Sequence, residues 1–199
     1  MQKRRFNWGT ISIICIIFII FFIDTFLLST SIFTKEHIIY GNDYGLITKY
    51  GMLLNVNEIG YEWWRLFTNI FIHAGIPHLL VNTIALYLVG TQIECNIGTK
   101  NLIITFCIIG ILSSCVTMFF TNGAVGASGA IYGLCGIYIG QVITKKIKLT
   151  SVLSVIVLIL ILLYLVLPNL STNTAVTAHI VGFLCGSLLN IFYNHHYIK

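Results

Sequence analysis

Charge is scarce in this chain, and acidic charge is missing from its second half. Only 9% of the 199 residues are charged, and positions 101 to 199 contain neither Asp nor Glu. About a quarter of the residues of a typical soluble domain are charged, so an ordinary soluble domain is excluded. The missing carboxylates also exclude a paired-carboxylate hydrolase built from the second half of the chain.

Cysteine is present but is not arranged for cross-linking. The six cysteines show no paired spacing, and all lie in or at the ends of apolar segments: Cys15, Cys95, Cys107, Cys115, Cys135 and Cys185. A disulfide framework or a zinc site would need regular pairs. We therefore interpret these residues as small buried hydrophobic side chains.

Long apolar runs dominate the rest of the sequence. Hydrophobic residues make up 57% of the chain and the mean hydropathy is +0.94, values typical of an integral membrane protein. A spanning helix needs about 20 mostly apolar residues. The sequence predicts an all-α, polytopic membrane helical bundle with six transmembrane helices, at about 10–33, 77–94, 101–120, 128–143, 150–168 and 175–193.

The first apolar run is predicted to be a retained span. It extends from Ile11 to Leu28, longer than a usual signal-peptide core, and no small-x-small cleavage site follows it. No internal repeat is visible, so we expect one domain over residues 1–199.

The net charge of +5 does not indicate nucleic-acid binding, because the basic residues flank the predicted spans. With a cytoplasmic N-terminus, eight basic residues lie inside and three outside, which favours cytoplasmic N- and C-termini in a cell membrane. The inner set is Lys3, Arg4, Arg5, Lys100, Lys145, Lys146, Lys148 and Lys199; the outer set is Lys35, Lys49 and Arg65.

One connection is long, residues 34–76 between the first and second spans. It carries Glu62 and Arg65 beside Trp63 and Trp64. Aromatic residues next to charges are typical of a segment at the membrane–water interface. We expect an interfacial loop that contacts lipid, and the Glu62–Arg65 stretch can also brace the rest of the protein.

A glycine-rich run places one hydroxyl at the start of a span. Ser128 lies between Gly126 and Gly129, where backbone N–H groups of a helix start are open to a ligand, as an oxyanion site requires. A lone serine fits packing or capping equally well. Ser128 precedes Lys145 by 17 residues, about 25 Å of helix, which predicts a position just below the outer surface.

A histidine in the last span is predicted at the same depth. His179 precedes His195 by 16 residues, about 24 Å of helix. Glycines follow one face of each span, at 129, 133, 136 and 140 in the fourth and at 182 and 186 in the sixth. Packing these faces together would bring His179 beside Ser128. The alternative, two ordinary small-residue packing motifs, leaves the imidazole unexplained.

A third polar cluster precedes or enters the second span: His73, His78 and Asn82. His78 and Asn82 are four residues apart and point the same way, where they could donate hydrogen bonds to an oxyanion. Helix capping is one alternative. Metal binding is disfavoured because the two histidines are five residues apart with no carboxylate nearby.

These residues predict a Ser128–His179 dyad. A serine nucleophile needs a base, and usually a third group orients that base. With no carboxylate available in the second half, we expect packing to hold the imidazole, against Tyr132 one turn from Ser128.

Taken together, the motifs resemble those of the rhomboid intramembrane serine proteases over about residues 62–186. The matching stretches are Glu62-Trp63-Trp64-Arg65, then His73, His78 and Asn82, then Gly126-Ala127-Ser128-Gly129 with Tyr132, and finally Ala178-His179 with Gly182 and Gly186.

The resemblance implies a role for each candidate residue. Ser128 would be the nucleophile and His179 the general base. His78, Asn82 and the Ser128 backbone N–H would form the oxyanion hole, with Tyr132 supporting His179. Trp64 and Arg65 would belong to a loop that packs against the core and meets lipid.

The resemblance also implies a substrate: a single-span membrane protein, cleaved near the extracytoplasmic side without cofactor or metal. The alternative is a catalytically inactive rhomboid-like scaffold or chaperone that binds transmembrane helices. The oligomeric state stays open.

Overall fold

The computed structural model describes residues 6–27, 50–150, 152–170 and 175–196. These ranges contain seven α-helices and no strand. The helices are α1 (Trp8–Phe22), α2 (Arg65–Thr68), α3 (Ile76–Ile97), α4 (Thr99–Thr117), α5 (Ser128–Ile143), α6 (Val152–Val166) and α7 (Val176–His196). The prediction of an all-helical polytopic bundle is confirmed.

Four of the helices are long and apolar enough to cross a membrane. They lie within Trp8–Thr25, Ile76–Ile97, Thr99–Thr117 and Val176–Tyr193, and two shorter apolar helices occupy Ser128–Ile143 and Ser154–Asn169. The first helix starts two residues before the predicted span and continues as a π-helix, Ile23–Leu27. Predictions for residues 28–33, the loop segment 34–49, and the charges of Lys3, Arg4, Arg5 and Lys199 lie outside the described residues.

Proline and glycine mark both ends of α3. Pro77 occupies the first turn, where its missing N–H costs no helical hydrogen bond. Gly98 follows the last residue with φ +82°, a left-handed value that favours glycine. The next helix, α4, begins at once, so these two helices form a hairpin.

A buried carboxylate in α3 holds the start of α1. Glu94 accepts hydrogen bonds from the backbone N–H groups of Gly9 and Thr10 at 2.8 and 2.9 Å, and also from the Thr10 and Thr99 hydroxyls. These N–H groups belong to the first turn of α1 and lack acceptors within the helix. Each hydrogen bond to a charged group contributes about 1.5–3 kcal/mol to stability. Glu94 therefore stabilises the contact between α1 and α3.

The centre of the molecule is the contact between α5 and α7, where backbone meets backbone. A Cβ atom at Gly182 would collide with the carbonyl of Gly129, and one at Gly186 would collide with the carbonyl of Gly133. Lipid supplies no hydrophobic drive between helices, so close packing of small residues stabilises such contacts. The two glycine faces predicted from spacing therefore pack against each other.

The loop before α2 braces the loop before α5. Leu53 and Ala124 exchange backbone hydrogen bonds at 2.9 and 3.0 Å in an isolated antiparallel bridge. The Gly126 N–H donates to the Asn69 carbonyl at 2.9 Å. Residues of the connection between α1 and α3, called the first loop below, therefore hold the chain that leads into α5.

Candidate active site

Ser128 is the first residue of α5, where helical N–H groups lack acceptors within the helix. The preceding turn depends on Gly126, whose φ is +123°. A Cβ at that position would lie 2.7 Å from Cε1 and 2.8 Å from Nε2 of His78. Both the backbone conformation and the close approach of His78 therefore require glycine.

His179 lies in the first turn of α7 and faces Ser128. Its Nε2 atom is 2.9 Å from Ser128 Oγ, within hydrogen-bonding distance. The imidazole is 4% exposed. It stacks on the ring of Tyr132, with centroids 4.0 Å apart and planes 5° apart. Two side chains from separate helices thus meet with the geometry of a hydroxyl and its base.

A third group, not singled out from the sequence, contacts the imidazole. Asn169 Oδ1 lies 2.6 Å from His179 Nδ1. This residue belongs to the 3-10 turn Leu167–Leu170 that continues α6. The expected packing of the imidazole against Tyr132 is present, and the turn after α6 adds an amide contact that the sequence analysis did not predict. The signal in the sequence was weak: a polar residue after Pro168 that reads as an ordinary turn.

His78 and Asn82 project from the first two turns of α3 toward the same loop. An added Gly126 Cβ would lie 3.6 Å from Asn82 Nδ2, so both side chains flank the chain two residues before Ser128. Tyr164 donates a hydrogen bond from its hydroxyl to Asn82 Oδ1 at 2.8 Å. Within the described residues, the buried Asn82 Nδ2 has no hydrogen-bond acceptor. A buried N–H that lacks an acceptor is suited to receive a ligand oxygen.

His73 supports this cluster from outside the spans. Its ring lies 5.0 Å from that of His78, and its Nδ1 is 3.3 Å from the Phe71 carbonyl. Burial, followed by repulsion from a charged His78, lowers the pKa of His73 to about 3 despite the hydrogen bond to Phe71. His73 therefore stays neutral at physiological pH.

Trp64 precedes α2 and Arg65 is its first residue, within the connection between α1 and α3. Arg65 is 3% exposed and donates to Glu62 at 2.5 Å and to the Met52 carbonyl at 2.9 Å. Trp64 is 52% exposed. The structure thus places Arg65 as a brace inside the loop and Trp64 on its surface.

Two cavities lie near these elements. One of about 20 Å³ adjoins Ser128, and its polar lining includes Asn69, Ser113 and Ser114. This volume is enough for one water molecule. An apolar cavity of about 540 Å³ between α1 and the first loop touches neither Ser128 nor His179. The described residues contain no group of three or more His, Cys, Asp or Glu side chains placed to hold a metal ion.

These features define a polytopic helical membrane protein with a half-buried serine beside a buried histidine. The family model described as Rhomboid domain matches residues 60–195. YdcA of Bacillus subtilis, provisionally named a rhomboid protease, is 33% identical over 141 residues, which cover 69% of this chain and 70% of YdcA.

Two further relatives are longer than this chain. Rhomboid protease GluP of Bacillus subtilis is 32% identical over 136 residues, covering 65% of this chain and 27% of GluP. RHOMBOID-like protein 1 of Arabidopsis thaliana is 31% identical over 140 residues, which cover 67% of this chain and 35% of that protein. The chain belongs to the rhomboid family, and it spans only about a quarter to a third of these two relatives.

Proposed function

We propose that this protein is an intramembrane serine endopeptidase in which Ser128 is the nucleophile and His179 the general base. The observation that carries the proposal is the 2.9 Å separation of Ser128 Oγ and His179 Nε2. A serine becomes nucleophilic when an adjacent base accepts its proton, and this distance allows that transfer. Family membership and the names of the relatives support protease chemistry in general.

The proposed reaction has two halves. Ser128 Oγ attacks the scissile carbonyl carbon while its proton passes to His179 Nε2, and the imidazolium then protonates the leaving amine as the peptide C–N bond breaks. In the second half, His179 takes a proton from water, which attacks the acyl-enzyme ester, and the proton returns to Ser128 Oγ.

The oxyanion of each tetrahedral intermediate would lie among three donors: the Ser128 backbone N–H, Asn82 Nδ2 and His78. The buried Asn82 N–H without an acceptor supports this assignment. Such donors stabilise charge most strongly when they are fixed before the reaction. Gly126 would leave room for the substrate carbonyl beside His78 and Asn82, and Gly129 would support the site by letting α7 approach the start of α5 closely. Tyr132 would hold the plane of the base. His73, Trp64 and Arg65 would act indirectly, by supporting His78 and the first loop.

We also propose the six-span arrangement, with both termini cytoplasmic and the loop over residues 34–76 outside, as one domain over residues 1–199. In this proposal the four helices long enough to cross a membrane and the two shorter apolar helices would make the six crossings. A short α5 fits this arrangement because its N-terminus would start below the surface. Irregular backbone is tolerated at that depth where protein surrounds it or water reaches it. The loop before Ser128 meets this condition through its backbone hydrogen bonds to Leu53 and Asn69.

The proposed substrate is a membrane protein with one span, cut near the extracytoplasmic boundary where its helix is frayed. A peptide carbonyl within a regular helix is hydrogen-bonded and shielded from attack, so a locally unwound segment is required. Lipid would surround enzyme and substrate throughout.

Single substitutions in the pair test the proposal. We expect Ser128→Ala and His179→Ala each to reduce cleavage of a fluorescence-quenched single-span peptide in lipid vesicles by at least about 10³-fold, because nucleophile and base act as a unit. Ser187→Ala is the control, since its hydroxyl donates to the Phe183 carbonyl of its own helix. Circular dichroism verifies that each variant is folded.

Cleavage by Ser128→Ala at the wild-type rate would contradict the proposal. A wild-type protein that binds the peptide without cutting it would instead favour the catalytically inactive scaffold or chaperone.

A further inference from the structure

The geometry points to Asn169 as the residue that positions the base of the proposed reaction. Its Oδ1 atom is 2.6 Å from His179 Nδ1, the ring nitrogen opposite the one that faces Ser128. This inference rests on the proposed function and adds to it a third member, supplied by the turn after α6.

The orientation of the Asn169 amide follows from its other contacts. The Nδ2 atom lies 2.9 Å from the Leu165 carbonyl, which can only accept a hydrogen bond. The atom at that position must therefore be the amide nitrogen. A flipped amide would set two oxygens against each other, so Oδ1 is the atom that faces His179.

Tyr132 satisfies the second N–H of the same amide. Its hydroxyl donates to the Tyr164 carbonyl at 2.9 Å and accepts from Asn169 Nδ2 at 2.9 Å. Every donor and acceptor of the Asn169 side chain thus has a partner with matching chemistry. These bonds are partly buried, and a network whose members are all satisfied holds its side chains in place.

This network selects one tautomer of His179. Because Asn169 Oδ1 can only accept, Nδ1 must carry the imidazole proton, and Nε2 then presents its lone pair to Ser128 Oγ. In the other tautomer, two lone pairs would face each other at Nδ1, and Nε2 could not accept the serine proton. Asn169 also restricts rotation of the ring in its own plane, while the stack on Tyr132 restricts tilting.

A neutral amide is suited to this place. The chain from residue 101 onward has no carboxylate, and a charged group in a membrane-embedded site is costly. Asn169 provides the acceptor that orients the base without introducing that charge. It therefore acts on the proportion of correctly oriented, neutral His179, not on the binding of substrate.

The test compares Asn169→Ala and Asn169→Asp in the full chain in lipid vesicles, with a quenched single-span peptide as the probe. We expect Asn169→Ala to lower kcat about 10- to 100-fold with KM changed less than about threefold, because orientation of the base affects only the chemical step. Leu167→Ala is the matched control, because this side chain in the same turn is 57% exposed.

The aspartate variant separates positioning from packing. A carboxylate keeps the acceptor for Nδ1 and favours the protonated imidazole. Its second oxygen loses the hydrogen bond that Nδ2 donates to the Leu165 carbonyl. We therefore expect Asn169→Asp to recover only part of the lost kcat above neutral pH and to move the acid-side fall of the pH–rate profile to higher pH. Recovery together with this shift supports the inference, since a merely structural role would move neither.

Two results would overturn the inference: a wild-type kcat and pH profile for Asn169→Ala, or a loss in Asn169→Ala that Asn169→Asp does not restore and that leaves the pH profile unchanged. Failure of the proposed function is distinct, because it would appear as wild-type cleavage by Ser128→Ala. An inactive Ser128→Ala beside an unaffected Asn169→Ala would remove only the positioning role.

Discussion

Gly126 determines how the chain approaches the reactive serine. Its φ of +123° is one that L side chains rarely adopt, and the His78 ring occupies the space that a methyl group would need. The N–H of Gly126 also donates to the Asn69 carbonyl. Gly126 thus determines the path of the loop, the space that the His78 ring occupies and the start of α5.

We expect Gly126→Ala to lower kcat/KM at least about tenfold, because a strained backbone costs about 1–3 kcal/mol and His78 must move. The peptide cleavage assay measures the effect. Gly123→Ala, three residues earlier, is the control, since its methyl group would press on the flexible end of the Met52 side chain and lie at an ordinary 3.8 Å from the Leu53 carbonyl. Equal activity of the two variants would show that the backbone at Gly126 is not critical.

Sequence patterns could predict the contact between Ser128 and His179 but not that of Asn169. Ser128 and His179 lie nearly the same number of residues, 17 and 16, before the far ends of their spans, and glycines line the faces that carry them. Both features are properties of regular helices, so they can be read from spacing. Asn169 follows Pro168 in a turn, where its direction depends on how α6 ends. Nothing in its local pattern separates it from an ordinary turn residue.

Helix α6 and the turn after it place two polar side chains in the candidate site. The helix buries Val157, Ile161 and Tyr164 against the body, while Leu160 and Leu163 remain exposed. The buried face carries the Tyr164 hydroxyl to Asn82, and the turn that follows carries Asn169 to His179. One helix therefore contacts both the proposed base and a proposed oxyanion donor.

We expect Tyr164→Phe to lower kcat on the order of tenfold with little change in KM, because the Asn82 amide loses the hydrogen bond that orients it. Tyr87→Phe is the matched control, since that ring is 54% exposed on α3. Steady-state kinetics on the quenched peptide measures both variants. An unchanged kcat for Tyr164→Phe would mean that Asn82 is oriented without this hydrogen bond.

Helix existence was easier to predict than helix ends. The structure places α5 at Ser128–Ile143, the range predicted, because a glycine turn marks its start. Helix α3 extends to Ile97, beyond the predicted end at 94, because Glu94 is buried by its bonds to α1 and does not end the helix. A glutamate in an apolar run normally suggests the end of a membrane span. Here the helix continues past Glu94 because tertiary contacts with α1 satisfy its carboxylate.

Across the whole molecule, the candidate catalytic groups and the exposed lysines lie at opposite ends of the helices. Ser128 starts α5, and the exposed residues Lys145 and Lys146 follow its other end. At that second end Lys146 donates to the Tyr193 carbonyl of α7 at 3.2 Å. Arg65 is buried against Glu62 and Met52, so it contributes little charge at the outer surface. This distribution supports the proposal that the Lys145 end is cytoplasmic.

The proposed topology predicts the behaviour of fusions placed after Lys199. With six spans and a cytoplasmic C-terminus, a green fluorescent protein fusion in a bacterial host should fluoresce and an alkaline phosphatase fusion should be inactive. A phosphatase fusion after Tyr61, in the first loop, is the control and should be active. With the Tyr61 control active, the reverse pattern at Lys199 would mean an even number of crossings between these two positions, in contradiction to the proposed five.

The most direct measurement is the reaction of the folded protein with a fluorophosphonate, followed by mass mapping of the adduct. The Ser128–His179 contact of 2.9 Å predicts one adduct, on Ser128, that disappears in His179→Ala while the variant remains folded. Labelling of Ser128 at an undiminished rate in His179→Ala, or an adduct on Ser113 or Ser114 instead, would contradict the account.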